Sequence, residues 1–290
     1  MSDSAERQPR RRALVTGASA GIGLAFAERL ARDGWDLRLV ARRRERLEAL
    51  AKNLKLQHRV AVDILPADLT NPEELAAVER KIARDRRLEL VVNNAGMGDF
   101  GAFLERDRDV ETAEIQLNAL AVMRLSHAAL PGFVKRGNGA LINVSSTAGF
   151  QPCPHLAVYA ATKAFLNSFA QSLAVELRGT GVRIQALCPG FTRTEIFDAA
   201  GADPSGIPSF LWMDPEDVVD ESLAALARGG VLCVPGFANR AITSLNRVLP
   251  SEASSRIAGL LARQVDSPPK KRPARPRPRR GAGPAAKSDR

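Results

Sequence analysis

Thr16-Gly17-Ala18-Ser19-Ala20-Gly21-Ile22-Gly23 separates a short apolar run, Ala13–Thr16, from an amphipathic stretch, Ile22–Arg32. The run reads as a strand, and the stretch reads as a helix carrying Ile22, Phe26 and Leu30 on one face. The glycines between them follow G-x-x-x-G-x-G rather than the commoner G-x-G-x-x-G. Glycines here permit a tight turn and let phosphates approach backbone N–H groups at a helix N-terminus. A glycine-rich turn with no ligand is the alternative; the position after the first strand favours binding.

Outward from this turn the same pattern repeats. Strands are expected at Asp36–Ala41, Val60–Leu65, Leu88–Asn93, Ala140–Ser145, Val182–Leu187 and Val231–Val234. Helices are expected at Arg43–Leu54, Pro72–Arg84, Glu111–Phe133, Val158–Arg178 and Asp217–Ala227. Strands alternating with helices imply an α/β fold: one domain with a Rossmann-like, doubly wound parallel sheet flanked by helices on both faces. Ligands of such a sheet sit beyond the carboxyl ends of its strands.

The chain has 290 residues and a net charge of +10, which suggests nucleic acid until it is divided along the sequence. Residues 267–290 hold nine Lys/Arg against one Asp, and residues 1–12 hold four Arg against two acids. The body between is neutral. The expected organisation is a basic arm (1–11), a dinucleotide-binding catalytic domain (12–236), amphipathic helices (237–266) and a disordered Pro/Arg-rich tail (267–290). Cys153, Cys188 and Cys233 are too few and scattered for a disulfide framework, and His58 and His127 show no metal pattern. Arg10–Arg12 before an apolar stretch superficially resembles a secretory signal, but Gly17, Gly21 and Gly23 suit a strand-to-helix turn better. A cytoplasmic, reducing location is expected, with peripheral membrane contact as a variant.

The chemistry gathers at the expected carboxyl edge. The second strand ends Val40-Ala41-Arg42-Arg43-Arg44, with no acid to accept a ribose 2′-hydroxyl. Arg42 offers a permanently charged planar fork to a 2′-phosphate, so NADP is expected, with NAD as the alternative. A solvated helix start is the plainer reading of these arginines, although cations there oppose the helix dipole. Tyr159 and Lys163, four apart, share a helix face. An unperturbed phenol titrates near pH ~10, and an adjacent ammonium is expected to lower that value towards working range. Tyr159 is the only tyrosine in the chain. Ser145-Ser146 closes the fifth strand, where a hydroxyl can donate to a carbonyl oxygen or simply serve a turn. Asn93-Asn94-Ala95-Gly96 ends the fourth strand, and Asn118 sits in mid-helix, as a functional or a structural hydrogen-bonding residue.

Assembled, these residues resemble the short-chain dehydrogenase/reductase family from about Arg12 to Pro235. The matching motifs are Thr16–Gly23, Asn93–Gly96, Ser146 with Tyr159 and Lys163, and Pro189-Gly190 through Thr194. The resemblance implies an oxidoreductase moving hydride between nicotinamide and a carbonyl or secondary alcohol. It implies Tyr159 as general acid/base, with Lys163 lowering its pKa and binding the ribose. It further implies Ser146 polarising the substrate oxygen and Asn118 anchoring a proton-relay water. Cofactor contacts carried over are Gly17, Ser19, Gly21, Ile22, Gly23, Arg42, Asp68, Leu69, Asn94, Ala95, Gly96, Pro189, Gly190, Thr192 and Thr194. Ala20 departs from the Lys or Arg found there in many NADP-dependent relatives, leaving Arg42, with Arg43, to hold the 2′-phosphate. A homodimer or homotetramer through the helices near Glu111–Phe133 and Val158–Arg178 is also implied.

Phe191–Met213 should form a lid, and its Phe191, Ile196, Phe197, Phe210 and Trp212 suit a lipophilic carbonyl substrate or merely pack the lid down. Cys153 and His155 lie where substrate could touch them, or are ordinary loop residues. Arg240–Gln264 reads as one or two amphipathic helices broken at Pro250. With the basic tail it could tether the chain to nucleic acid or an anionic membrane; a solvated low-complexity tail is the alternative. A non-catalytic NADP-binding regulator is the competing function, although binding alone needs no tyrosine base.

Overall fold

The computed structural model describes residues 10–195 and 206–248. Ile196 and Phe197 of the expected lid, the arm before Arg10, residues 249–264 of the expected C-terminal helices, and the basic tail lie outside the described residues.

The order of elements is β1 (Arg12–Thr16), α1 (Gly21–Arg32), β2 (Asp36–Ala41), α2 (Arg44–His58), β3 (Val62–Pro66), α3 (Pro72–Ala83) and β4 (Leu88–Asn93). There follow α4 (Arg108–Ile115), a π-helical segment (Gln116–Ala121), α5 (Val122–Arg136), β5 (Gly139–Val144), α6 (Ala157–Glu176) and β6 (Val182–Leu187). The described chain closes with α7 (Pro215–Ala227), β7 (Leu232–Cys233) and α8 (Phe237–Val248). The seven strands form one sheet in the order β3-β2-β1-β4-β5-β6-β7, every neighbouring pair parallel. The winding reverses between β1 and β4, which opens the crevice in which doubly wound sheets bind ligands.

Alternation along β1 shows why both faces are covered. Ala13 and Val15 enter one core with α1, α2 and α7, whereas Leu14 enters the other with α3, α5 and α6. Phe26 and Phe133 are fully buried anchors of these two layers. Each such side chain contributes roughly 1.5–3 kcal/mol by leaving water.

Local chemistry sets the boundaries. Asn71 begins α3 by accepting hydrogen bonds from the Glu73 and Glu74 backbone N–H groups, with Pro72 as the first helical residue. α2 continues to His58, past the expected Leu54, and stops at Arg59 in the left-handed region. Val60 is buried but precedes β3. The expected helix Glu111–Phe133 starts earlier and is interrupted by the π segment, whose wider turn carries Asn118. α8 begins at Phe237, where the expected amphipathic segment 237–266 starts, three residues before Arg240, and presents exposed Phe237, Ile242 and Leu245. None of the described helices is long and apolar enough to cross a membrane.

Candidate active site

The crevice is built by stitching the ends of β1 and β4 together. The Thr16 hydroxyl accepts from the backbone N–H groups of Asn94 and Ala95, both at 2.9 Å. The Asn94 amide donates to the carbonyls of Thr16 (2.9 Å) and Gly17 (3.3 Å). This leaves no room for side chains in the turn. A Cβ on Gly23 would stand 2.4 Å from the Gly17 carbonyl oxygen and 2.4 Å from the Asn94 amide nitrogen. Gly17 also has φ +66°, which disfavours any L side chain. Ala20 caps α1 with extended backbone and no side-chain hydrogen bond, so the first N–H groups of α1 have no side-chain partner from their cap. Ile22 packs on the core, leaving its backbone N–H as its contribution to a ligand. Thr194 crosses the turn from the far side: a Cβ on Gly21 would come within 2.9 Å of its methyl. These close approaches fit a pyrophosphate lying on backbone alone.

The arginines divide between two places. Arg42 is exposed and, with Arg44, Pro66, Ala67, Asp68 and Glu74, lines a cavity of about 310 Å³. Arg43 donates to Ser19 Oγ (3.2 Å) and pairs with Glu195 (3.1 Å), which Arg46 also binds at 2.8 Å. Those two arginines hold the Glu195 carboxyl below its usual range. Asp68 receives the backbone N–H and hydroxyl of Thr70, whereas the Leu69 side chain is buried in the core. Leu69 therefore reaches a ligand only through its backbone.

Four side chains converge across the sheet from the arginines. Ser146 Oγ accepts from the Ala148 N–H at 3.1 Å and is hydrogen-bonded to the Tyr159 phenol. Its neighbour Ser145 is buried and donates to the Lys163 carbonyl at 2.9 Å, a structural role. Tyr159 lies in the first turn of α6. Lys163 Nζ sits 5.4 Å from its ring centre and donates to the Val144 carbonyl at 2.9 Å. Asn118 accepts from the Met97 N–H at 3.0 Å and donates to the Met97 carbonyl at 2.8 Å and to Thr162 Oγ at 3.3 Å. Thr162 in turn donates to the Tyr159 carbonyl. Gly96 and Gly98 let backbone run flat between them. A Cβ on Gly96 would meet Asn118 Oδ1 at 3.1 Å, and one on Gly98 would meet the Tyr159 ring at 3.2 Å.

The electrostatics correct one expectation. The phenol of Tyr159 is pushed up to about 12, not down, chiefly by burial. The Ser146 hydrogen bond opposes that shift, while nearby Glu114 and Cys153 reinforce it. Lys163 is itself pushed down to about 8 by burial, with Glu114 and Cys188 resisting. Burial outweighs the lysine, whose ammonium donates to the Val144 carbonyl.

On the far wall, the Pro189 carbonyl accepts from Thr147 N–H, and buried Thr192 Oγ donates to the Gly190 carbonyl. Sequence reasoning missed Asn239 of α8, which is buried so tightly on Gly190 that a Cβ there would lie 2.4 Å from its Oδ1. It also missed Glu114, fully buried one turn before Asn118; that four-residue spacing on one helix face was the available signal. Cys153 is half-buried near the phenol, and His155 adopts φ +64° while its carbonyl accepts from Gly101 N–H.

Comparison with known proteins identifies the family of the chain. A family profile described as short chain dehydrogenase matches residues 11–205, and the chain belongs to that family. Hydroxysteroid dehydrogenase-like protein 1 of Gallus gallus is 31% identical over 74% of this chain. Inactive hydroxysteroid dehydrogenase-like protein 1 of Homo sapiens is 32% identical over 66% of this chain. The chain spans 65% and 58% of the length of these two relatives. Sulfoacetaldehyde reductase 2 of Chromohalobacter salexigens is 34% identical over 73% of this chain and 85% of its own length. Among solved structures, a short-chain dehydrogenase from Sphingobium yanoikuyae in complex with NADPH is 40% identical, with a TM-score of 0.75, covering 83% of this chain and 96% of that one. A bulky-bulky ketone specific alcohol dehydrogenase from Comamonas testosteroni is 33% identical, with a TM-score of 0.72, covering 84% and 96%.

Proposed function

We propose that this chain is an NADP(H)-dependent oxidoreductase that interconverts a ketone or aldehyde and its alcohol, with Tyr159 as the proton-carrying group. The observation that carries this reading is the convergence of Ser146, Tyr159, Lys163 and Asn118 beside a phosphate-sized backbone turn. When bound, the dinucleotide supplies or accepts the hydride. The Gly17–Gly23 turn would hold its pyrophosphate, Arg42 and Arg43 its 2′-phosphate, and Lys163 its second ribose.

In the reductive direction Ser146 donates to the carbonyl oxygen and fixes it against the phenol. Tyr159, holding its proton at neutral pH, is in the state required to protonate that oxygen. Oxidation of the alcohol would use the same group as phenolate. Gly98 lets the backbone pack close on the Tyr159 ring, and Gly96 lets it pack on Asn118 and Lys163, which holds those groups in place. Phe191 and Trp212, with ring centres 5.9 Å apart, and exposed Phe210 favour a lipophilic substrate. The Comamonas protein's preference for bulky-bulky ketones points the same way. Exposed Leu104, Ile115, Leu120, Phe165 and Val175 around α4–α6 support a homodimer or homotetramer through those helices.

The test is turnover of NADPH and NADH with ketones of graded size, by the wild type and Tyr159→Phe. Ketone-dependent NADPH consumption that disappears in the variant supports the reading. NADPH binding without turnover of any carbonyl would favour a binding role instead, in line with the inactive human relative.

A further inference from the structure

Glu114 is a carboxyl in the wrong surroundings for an ion. Its side chain is fully buried at the end of α4, where the chain enters the π segment. Oε1 receives only a long contact, 3.4 Å, from the Asn118 amide, and Oε2 has no hydrogen-bond partner. A buried anion with an unpartnered oxygen is expensive, whereas a neutral carboxyl of the same shape costs far less.

The neighbours are those of the candidate site. Asn118 links Glu114 through Thr162 to the first turn of α6. Gly96 brings Asn118 and Lys163 together, since one Cβ placed there would lie 3.1 Å from Asn118 Oδ1 and 3.6 Å from Lys163 Nζ. The charged and titratable groups facing Glu114 are Glu111 on its own helix, Arg106 from the preceding loop, and Lys163 and Tyr159 from α6. Arg106 is engaged by Asp99 at 2.8 Å, so it gives Glu114 little compensation.

We propose that Glu114 is a positioning residue that holds a proton behind Asn118 and Lys163 and, by releasing it in mild base, keeps protons on Lys163 and Tyr159. Neutral, it exerts no net field on the site. Burial and Glu111 push its carboxyl up to about 8, the same range to which burial brings Lys163 down. Once ionised, it raises the proton affinity of both Lys163 and Tyr159. The group therefore acts as a buffer for the Tyr–Lys pair as pH rises. The part that concerns catalysis rests on the function proposed above; the proton itself does not.

Infrared difference spectroscopy of the full chain, wild type against Glu114→Gln, tests the proton without cofactor or substrate. A carboxylic-acid band at neutral pH, fading as pH rises through about 8 and missing from the variant, is expected. No such band in wild type, or the same band in the variant, would overturn the proposal. With NADPH and a ketone that turns over, the alkaline limb of kcat should move to lower pH in Glu114→Gln, by roughly 0.5–1 unit. An unmoved limb would overturn the positioning role even if the band behaves as expected. Should the glutamine variant fail to fold, Glu111→Gln serves. Removing that neighbouring charge should shift the fading of the band to lower pH, and an unshifted band would count against the proposal.

Discussion

The two ends of the sheet use polar residues in opposite ways. At the amino end, charges answer charges. Arg12 and Arg38 both grip Asp85, at 2.9 and 2.8 Å, Arg87 pairs with Asp36 at 3.1 Å, and Asp63 adds a 3.3 Å contact to Arg38. At the carboxyl end, Lys163 and Glu114 are buried and Tyr159 is half-buried beside them, with no carboxylate–guanidinium pair among them, and all three have shifted proton affinities. One edge closes strand starts against water; the other holds protons in unstable places. Buried titratable groups at one edge therefore read as scaffold and at the other as chemistry, the first set at strand starts and the second on the helices α4 and α6.

The sharpest way to break this contrast is Tyr159→Phe. It should cut ketone reduction by roughly 10²–10⁴-fold while leaving the unfolding free energy from urea titration within about 0.5 kcal/mol of wild type. A large stability loss instead would make Tyr159 scaffold. Asp85→Ala should do the reverse. Two nearly buried guanidinium groups would lose their shared carboxylate, so about 3 kcal/mol of stability should vanish with kcat unaffected. Replacing Arg42 and Arg43 together by Ala should weaken NADPH binding by roughly 10–100-fold, or about 1.5–3 kcal/mol. NADH titrated in parallel should bind as before; equal losses would deny the arginines a role in selecting the 2′-phosphate. The smallest effect sharpens the contrast through pH. The raised Glu114 carboxyl means the fold takes up a proton, so its contribution to stability is complete below about pH 4.5 and lost as pH climbs through about 8. The melting temperature of Glu114→Gln should therefore gain on wild type across that window, and parallel curves would contradict the burial.

Much of the scaffold was readable because parallel strands covered on both faces are short runs rich in Leu, Val and Ile. Asp36–Ala41, Leu88–Asn93 and Val182–Leu187 fall where that pattern places them. The glycine turn was readable because its crowded backbone tolerates no side chain at Gly17 or Gly23. Legibility failed where position depends on three-dimensional crowding. The π segment preserves the apolar spacing of an ordinary helix, so Gln116–Ala121 gave no sign of its wider turn. The direction of the Tyr159 shift depends on whether burial or the ammonium wins, and four-residue spacing cannot report that Lys163 is spent on Val144. Arg43 was legible as a basic residue but not as the one reaching Ser19.

Asn239 gives the last helix a meaning that its place in the chain conceals. It comes after the seventh strand, where a fold of this kind could be thought finished, yet its amide fills the space above the Gly190 backbone and donates to the Pro235 carbonyl. Shortening the protein to the sheet alone would take a paving stone from the floor on which the Pro189–Thr194 segment rests. What reads as an appendage thus belongs to the same built surface as the reacting groups.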